Sequence, residues 1–129
     1  MVKHLAIFDS DTAKKIFEGK KKVEGRFSKI KIPPFGKVSA GDDVLIKVSG
    51  GKIVGQFSVD RVLHFDHPRK EEVEFFKKKY ASGLAMPATF WLDHEKINYL
   101  TLMFIGTVTK FIIPPEIKKS DLRPWVVLE

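Results

Sequence analysis

A cluster of charged residues early in the chain has the residue types and the spacing that binding or catalysis would need. Residues 19–27 read Gly-Lys-Lys-Lys-Val-Glu-Gly-Arg-Phe, and the spacing G-x-K-x-x-E-x-R places Lys21, Glu24 and Arg26 close together. An ammonium, a carboxylate and a guanidinium at one point could hold a phosphate or the polar edge of a base through charge-assisted hydrogen bonds. A lysine whose pKa falls on burial could instead act as a base or a nucleophile. The alternative is a solvated strand face on which Glu24 and Arg26 merely form an ion pair.

Further cations and aromatic rings extend this candidate site. Lys20 and Lys22 flank the motif lysine and would add positive charge for an anionic ligand. Three rings could stack on a base, although rings in apolar-rich segments more often belong to the core. The predicted RNA- or nucleotide-binding residues are Lys20, Lys21, Lys22, Glu24, Arg26, Tyr80, Phe90 and Trp91.

The sequence does not indicate a metal site or a cofactor. His64 and His67 stand alone, without other ligands at a matching spacing, and two imidazoles are a weak indication of a metal site. The chain has no cysteine, which excludes a disulfide scaffold, a zinc ribbon and a thiol nucleophile. It also lacks a nucleophile elbow and a phosphate-binding glycine loop. We therefore expect neither metal nor cofactor.

A short helix and the strand after it are predicted to position the motif. A helix over residues 10–18, capped by Ser10 or Asp11, is predicted to end at Gly19, where a left-handed conformation is common. Residues 22–28 then alternate between apolar and polar, so the carboxylate and the guanidinium of the motif point to the same side of a strand.

The remaining pattern predicts a small sheet with helices beside it. Further strands are predicted at residues 2–8, 44–48, 53–63, 97–113 and 125–128, with a bulge near Arg61 and a bend at Gly106. A main helix is predicted from Pro68 to Gly83, because glutamates load its first turns and lysines its last. An irregular segment follows over residues 84–93. Many strands, few helices and glycine-rich turns indicate an α+β fold, a small mixed or antiparallel β-barrel with flanking helices.

Length and charge limit the class of protein. The chain has 129 residues, which is most simply a single domain over residues 1–129. No apolar run approaches the ~20 residues that cross a bilayer, and no signal peptide is evident, so we expect a cytoplasmic protein without a membrane partner. The net charge of +7 favours an anionic partner, most commonly nucleic acid. Abundant lysine and glutamate, with Gln56 and Asn98 as the only side-chain amides, are typical of thermophilic sources. These patterns leave the oligomeric state open.

The order of these features resembles the ASCH family, the activating signal cointegrator homology domains. The short helix, the G-x-K-x-x-E-x-R motif, Gly41-Asp42 before a hairpin, a strand over residues 99–108 and the terminal Trp-Val-Val-Leu all occur in that family's order. The resemblance covers nearly the whole chain. It implies a PUA-like β-barrel with helices beside it, and RNA or nucleotide binding in a basic cleft lined by Lys21, Glu24 and Arg26.

The same resemblance suggests an alternative enzyme function. Some bacterial relatives are amidohydrolases that deacylate N4-acetylcytidine, with a motif of Lys, a Thr three residues on, and Arg, plus a Glu from the helical region. Here Lys21 and Arg26 match, whereas Glu24 stands in the Thr position. Lys21 would be the catalytic residue, together with Glu24, and the helical carboxylate would be Glu71, Glu72 or Glu74. A ribonuclease activity also occurs among relatives. Binding is favoured, because the sequence supplies the cations, rings and polar groups of a binding site and only part of an acid–base set.

Overall fold

Six strands form one curled sheet, half a barrel, on which the helices pack. The computed structural model describes residues 1–87, 89–92, 97–117 and 123–128. The strands are β1 (Lys3–Phe8), β2 (Val23–Ser28), β3 (Asp43–Val48), β4 (Ile53–Asp66), β5 (Tyr99–Lys110) and β6 (Trp125–Val127). Their order in the sheet is β2-β5-β4-β3-β1-β6. β1 and β3 are parallel, and all other neighbours are antiparallel. The predicted α+β class is confirmed, and β2 and β6 are the two edges of the half-barrel.

Within the described residues, the helices that accompany the sheet are α1 (Ser10–Phe17), α2 (Lys70–Lys79), α3 (Ala81–Leu84) and α4 (Thr89–Leu92). Asp9, rather than the predicted Ser10 or Asp11, caps α1, because its side chain accepts a 2.7 Å hydrogen bond from the backbone N–H of Thr12. Gly19 follows the helix with the expected positive φ, +74°. None of the described helices is long and apolar enough to cross a membrane.

The main helix is shorter than predicted. α2 begins two residues after Pro68, because Arg69 forms the cap and its backbone N–H donates to the carboxylate of Glu72 at 3.0 Å. α2 ends before Gly83, which lies inside α3. The segment predicted to be irregular holds the end of α3 and all of α4, while Asp93 lies outside the described residues.

The predicted strands are present with shifted ends. β4 continues to Asp66, and β5 is shorter than the predicted 97–113. The β4–β5 register shifts between Phe57 and Val59 and again between Val59 and Arg61, so the irregularity lies directly before the predicted Arg61. Gly106 sits opposite this irregularity, where an added Cβ would lie 2.2 Å from Asp60 Oδ1. A side chain at that position would displace the Asp60 carboxylate.

Apolar side chains fill both faces of the sheet. Successive residues of β5 point to opposite faces, so Met103 packs in the half-barrel under α1, while Leu102 packs against α2, α3 and α4. The inner cluster includes Ala6, Phe8, Ile16, Val44, Phe57 and Trp125. The outer cluster includes Val23, Phe76, Leu84, Trp91 and Leu100. The short helices are thereby held against β2, the strand that carries the motif.

A buried polar chain connects β1 with β6 and with the turn before β3. His4 Nε2 donates to Asp42 Oδ2 at 2.9 Å, and Trp125 Nε1 donates to His4 Nδ1 at 3.1 Å. Asp42 also accepts from the backbone N–H groups of Val2 and Ser39. Burial alone would raise the pKa of Asp42, but these hydrogen bonds outweigh burial and lower the pKa below its ordinary value of 3.8.

We expect Asp42→Asn to reduce the loss of stability in acid. A carboxylate with a lowered pKa stabilises the fold above its ordinary value of 3.8, and this stabilisation is lost as the pH falls through the lower folded-state value. Urea unfolding between about pH 7 and about pH 2 would measure the free energy of unfolding, with Asp43→Asn as the control for removing one carboxylate. Equal acid sensitivity of Asp42→Asn and wild type would contradict the expectation.

Candidate functional site

The turn after α1 directs Lys21 into the interior. The backbone N–H groups of Lys20 and Lys21 both donate to the carbonyl of Lys15, at 2.9 and 3.1 Å, and wrap the chain tightly around the helix end. The backbone N–H of Lys22 then donates to the Gly83 carbonyl of α3 at 2.7 Å. These bonds tie the start of β2 to α3, with Lys21 between them.

One buried carboxylate is shared by both cations of the motif. Glu24 Oε1 lies 3.3 Å from Lys21 Nζ, and Glu24 Oε2 accepts from Arg26 Nε at 2.8 Å. Lys21 also donates to the Leu84 carbonyl, at the end of α3, at 2.6 Å. Lys21 and Glu24 are 1% and 5% exposed. The three residues therefore form a buried charge cluster and not the solvated ion pair that the sequence left open.

The side chain of Lys21 is buried, and burial disfavours its charged ammonium form. Burial lowers the pKa of Lys21 from its ordinary value of 10.5, while the carboxylate of Glu24 opposes this shift. Arg26 and Lys15 add to the lowering by like charge. Lys15 itself donates to the neighbouring Ala85 carbonyl at 2.9 Å. The net effect is a lowered pKa of Lys21, even though its counter-charge, the carboxylate of Glu24, is in contact with it.

Arg26 links the two edges of the half-barrel. It lies on β2, yet its Nη2 donates to the Ile7 carbonyl of β1 at 2.9 Å, and its Nη1 lies 3.5 Å from the Pro124 carbonyl just before β6. The guanidinium also lies over the rings of Phe8 and Trp125, 4.8 and 5.3 Å from their centroids. The charge cluster therefore spans the open side of the half-barrel, between its edge strands β2 and β6. We call this open side the seam.

A pocket of about 320 Å³ opens on this seam. Its lining comes mainly from residues 24–28 of β2, residues 7–9 at the end of β1, loop residues 32–35, and Phe90 and Tyr99. Glu24 and Arg26 are among the lining residues, whereas Lys21 lies behind Glu24 and does not line the pocket. The volume is at the lower end of the ~300–1,000 Å³ typical of small-molecule sites.

Two carboxylates and one guanidinium are the charged groups among the described lining residues. They belong to Asp9, Glu24 and Arg26. The backbone N–H of Thr12 lowers the pKa of Asp9 from its ordinary value of 3.8, so Asp9 is anionic at neutral pH. Thr101 adds a hydroxyl. The pocket lining therefore differs from the basic cleft that the family resemblance implied.

All three predicted rings pack in the outer cluster, and one of them also lines the pocket. Phe90 lines the pocket. Trp91 is 8% exposed and stacks on Phe27 at 5.2 Å between centroids, within the outer cluster. Tyr80 packs on Phe76 in the same cluster. Of the three rings, only Phe90 is placed where it could contact a ligand in this pocket.

The other predicted charges lie outside the pocket. Lys20 and Lys22 are exposed in the turn between α1 and β2, and Lys20 pairs with the carboxylate of Glu18, directly after α1, at 3.5 Å. In α2, Glu72 pairs with Arg69, Glu74 pairs with Lys77, and Glu71 is exposed. None of these side chains lines the pocket, so the structure does not bring Glu71, Glu72 or Glu74 to the motif.

His64 holds the wall of the pocket. Its Nε2 donates to the Val38 carbonyl at 3.0 Å, and its Nδ1 lies 3.3 Å from both the Gly36 backbone nitrogen and Thr101 Oγ1. These contacts attach the loop that supplies residues 32–35 to the sheet. Within the part of the chain that the structure describes, no group of His, Cys, Asp and Glu residues could hold a metal ion.

Several pocket residues gave no functional signal in the sequence. They are Asp9, Phe27, Phe35, Tyr99 and Thr101. Asp9 is the cap of α1, and Phe27 continues the alternation of β2, so each has an ordinary structural reason. A signal was available in the Pro33-Pro34 pair beside Phe35, because such a rigid segment directly after the motif strand indicates a fixed wall.

A family model for the ASCH domain matches residues 10–108 of the chain. The chain belongs to the ASCH domain family. The resemblance that the motif order indicated is thereby confirmed. No curated protein sequence matches this ASCH chain.

Solved structures of other proteins, ASCH proteins among them, have a similar fold. The ASCH protein of Zymomonas mobilis superimposes with a TM-score of 0.71 at 17% identity, over 98% of this chain and 87% of that chain. A mutant of that protein gives 0.73 at 16% identity, over 98% and 88%. A protein from Enterococcus faecalis gives 0.53 at 13% identity, over 91% and 87%. These likenesses support the half-barrel fold of this ASCH domain.

In this ASCH domain we expect Lys21→Met to change the response of stability to alkaline pH. The folded-state pKa of Lys21 lies below 10.5, so the unfolded chain holds more protons there. The wild type should therefore gain stability relative to the variant as the pH rises towards 10.5. Urea unfolding of both proteins between about pH 7 and about pH 10 would measure this, with Lys20→Met as the exposed control. A difference in the free energy of unfolding between wild type and Lys21→Met that does not change with pH would contradict the expectation.

Proposed function

We propose that this ASCH domain binds RNA by enclosing a single base in the seam pocket. The observation that carries the proposal is the pocket itself, about 320 Å³ in volume, with aromatic walls and with Glu24 and Arg26 among its lining. This volume suits one nucleoside and excludes a paired helix. Sequence-specific recognition of RNA commonly uses such unstacked bases, held by rings and by polar groups at the base edge.

The charges of the pocket favour a base over a phosphate. Glu24 and Asp9 would repel a phosphate, and Arg26 already donates to Glu24 and to the Ile7 carbonyl. A neutral base with N–H groups can donate to these carboxylates instead. The base is therefore the part of the nucleotide that enters the pocket.

The phosphates of the strand would lie on the rim. The loop after β2 carries Lys29, Lys31 and Lys37, all exposed, and it also supplies pocket residues 32–35. Together with the net charge of +7, these lysines favour a polyanion running past the pocket mouth. Binding should then weaken as salt rises, by a slope of about 0.7 per phosphate contact on a single strand.

The walls supply the stacking surfaces. Phe27, Phe35, Phe90 and Tyr99 line the pocket, and Phe35 packs edge-on against Tyr99 with 4.9 Å between centroids. Stacking on such rings contributes about 1–3 kcal/mol per base and tolerates every base. Affinity would thus come from the walls and the rim lysines.

We expect Phe90→Ala to weaken RNA binding by about 1–3 kcal/mol, because it removes one stacking wall. Fluorescence anisotropy with a labelled single-stranded RNA at low salt would measure the affinity. The matched control is Phe75→Ala, which removes a ring that is 56% exposed on α2 and outside the pocket.

Two results would count against the proposal. One is equal affinity of Phe90→Ala and wild type while thermal unfolding shows both to be folded. The other is a lack of affinity of the wild type for any single-stranded RNA at low salt. A loss confined to Phe90→Ala, with Phe75→Ala unchanged, is the expected pattern.

A second candidate is hydrolysis of an N4-acylated cytidine. One observation favours it: Lys21 is a buried amine whose pKa is lowered by burial, as a nucleophile or base requires. Against it, Lys21 donates to the Leu84 carbonyl and contacts Glu24, and it does not line the pocket. Glu24 therefore stands between the amine and any base in the pocket. This geometry supports binding over hydrolysis.

We expect no deacetylation when N4-acetylcytidine is incubated with the wild type and followed by chromatography. Lys21→Ala and Glu24→Thr would be run beside it, because Glu24→Thr removes the carboxylate and creates the motif of the hydrolases that the sequence resembles. Turnover by the wild type that disappears in Lys21→Ala would overturn the preference for binding. Turnover gained only by Glu24→Thr would show that the carboxylate is what blocks the chemistry.

A further inference from the structure

The carboxylate of Glu24 has one acceptor position left at each oxygen. Among the described residues, Oε1 contacts Lys21 at 3.3 Å and Oε2 contacts Arg26 at 2.8 Å, one protein cation each. A carboxylate offers about four lone-pair positions over its two oxygens. Glu24 lines the pocket, so a ligand there can donate one hydrogen bond to each oxygen.

We propose that the pocket selects guanine, with Glu24 as the residue that determines the specificity. The inference rests on the proposed function, because it names the base that the RNA-binding pocket takes. Guanine carries two neighbouring N–H donors on one edge, N1–H and the N2 amino group. These two parallel donors match the two oxygens of a carboxylate.

The other bases would place a hydrogen-bond acceptor against the carboxylate of Glu24. Cytosine and adenine present one amino group next to a ring nitrogen acceptor, which would face the second oxygen of Glu24 with lone pair against lone pair. Uracil presents one N–H between two carbonyl oxygens, so it would place an acceptor against the carboxylate as well. A buried site built for a hydrogen-bond donor discriminates strongly against a ligand that lacks the donor, because its polar groups are then left unpaired.

Arg26 fits the remaining acceptor of the same base. It contacts Glu24 on the Oε2 side, and the orientation of guanine that turns N1–H towards Oε2 places the O6 acceptor on that side. Among the described residues, the hydrogen bonds of Arg26 use its Nε and one N–H of each terminal nitrogen, and a guanidinium has five N–H donors in all. A donor therefore remains at each terminal nitrogen for the O6 atom.

The cluster is held rigid before the ligand arrives. Lys21 and Arg26 fix the two oxygens of Glu24, and Arg26 is itself fixed by the Ile7 carbonyl and by the Phe8 and Trp125 rings. A carboxylate so fixed cannot turn away from a mismatched base, and this rigidity converts its acceptor pattern into selectivity.

The first test uses the wild-type protein and varies only the ligand. Fluorescence anisotropy would compare short oligouridine strands that carry a single central G, A, C or U. We expect the strand with G to bind most tightly, and replacement of that G by inosine, which lacks the N2 amino group, to weaken binding about 10-fold. Replacement by 1-methylguanosine, which lacks N1–H, should weaken it at least as much.

The same titrations separate failure of the inference from failure of the proposed function. Equal binding of all four strands, or a preference for A, C or U, would overturn guanine selectivity while leaving RNA binding intact. Equal binding of G and inosine would do the same. A lack of binding by all strands would overturn both. Titration with guanosine monophosphate shows whether a free nucleotide is also recognised; a preference for another monophosphate would count against the inference.

A variant pair locates the selectivity. Glu24→Gln replaces one acceptor oxygen with an amide donor at nearly constant size, and it should abolish the preference for G over inosine. Glu72→Gln, on exposed α2 and outside the pocket, is the control and should keep it. Retained guanine preference in a folded Glu24→Gln would overturn the role of Glu24. If Glu24→Gln does not fold, the inosine and 1-methylguanosine titrations on the wild type still decide the inference.

Discussion

The buried carboxylate of Glu24 holds both cations of the motif, Lys21 and Arg26, in place. Transfer of a charge from water into a protein is unfavourable by several kcal/mol unless the charge is paired and hydrogen-bonded. Glu24 pairs with Lys21 through one oxygen and with Arg26 through the other, and the Leu84 carbonyl accepts a hydrogen bond from Lys21. Removing any one of the three charges leaves another buried charge poorly compensated. The three motif residues therefore stabilise one another within the fold, whether or not a ligand is bound.

The charge cluster is also what spans the open side of the sheet. A half-barrel with two free edges needs a connection between them, and Arg26 supplies it by donating from β2 to the Ile7 carbonyl of β1 and lying near the Pro124 carbonyl ahead of β6. Its guanidinium packs on Trp125, whose ring nitrogen donates to the buried His4. The pocket opens at this connection, so its polar lining includes Glu24 and Arg26, which already hold one another in place. Such groups recognise a ligand by a fixed pattern and do not adapt to it.

The sequence predicted the convergence of the charges and did not predict which of them meets the ligand. Residues two apart on a strand share a face, and a glycine that ends a helix turns the chain back, so local rules bring the motif together. The placement of Lys21 behind Glu24 depends on the Leu84 carbonyl, 63 positions away, which has no local signal. The rings show the same limit. Phe90 and Trp91 are neighbours in α4 and both pack in the outer cluster, yet only Phe90 also lines the pocket, which depends on the tertiary contacts of α4.

The residue at position 24 separates this chain from the amidohydrolases that its motif resembles. A hydroxyl there would leave the buried lysine without a counter-charge, and burial would then favour the neutral amine that attacks an acyl group. Glu24 acts in the opposite direction, because its oxygen lies 3.3 Å from Lys21 Nζ and stabilises the ammonium. It also presents a fixed negative charge at the pocket, where a donor-bearing base is attracted and a phosphate is repelled. One carboxylate thus removes a condition for the hydrolysis and supplies the two acceptor oxygens on which the proposed base recognition depends.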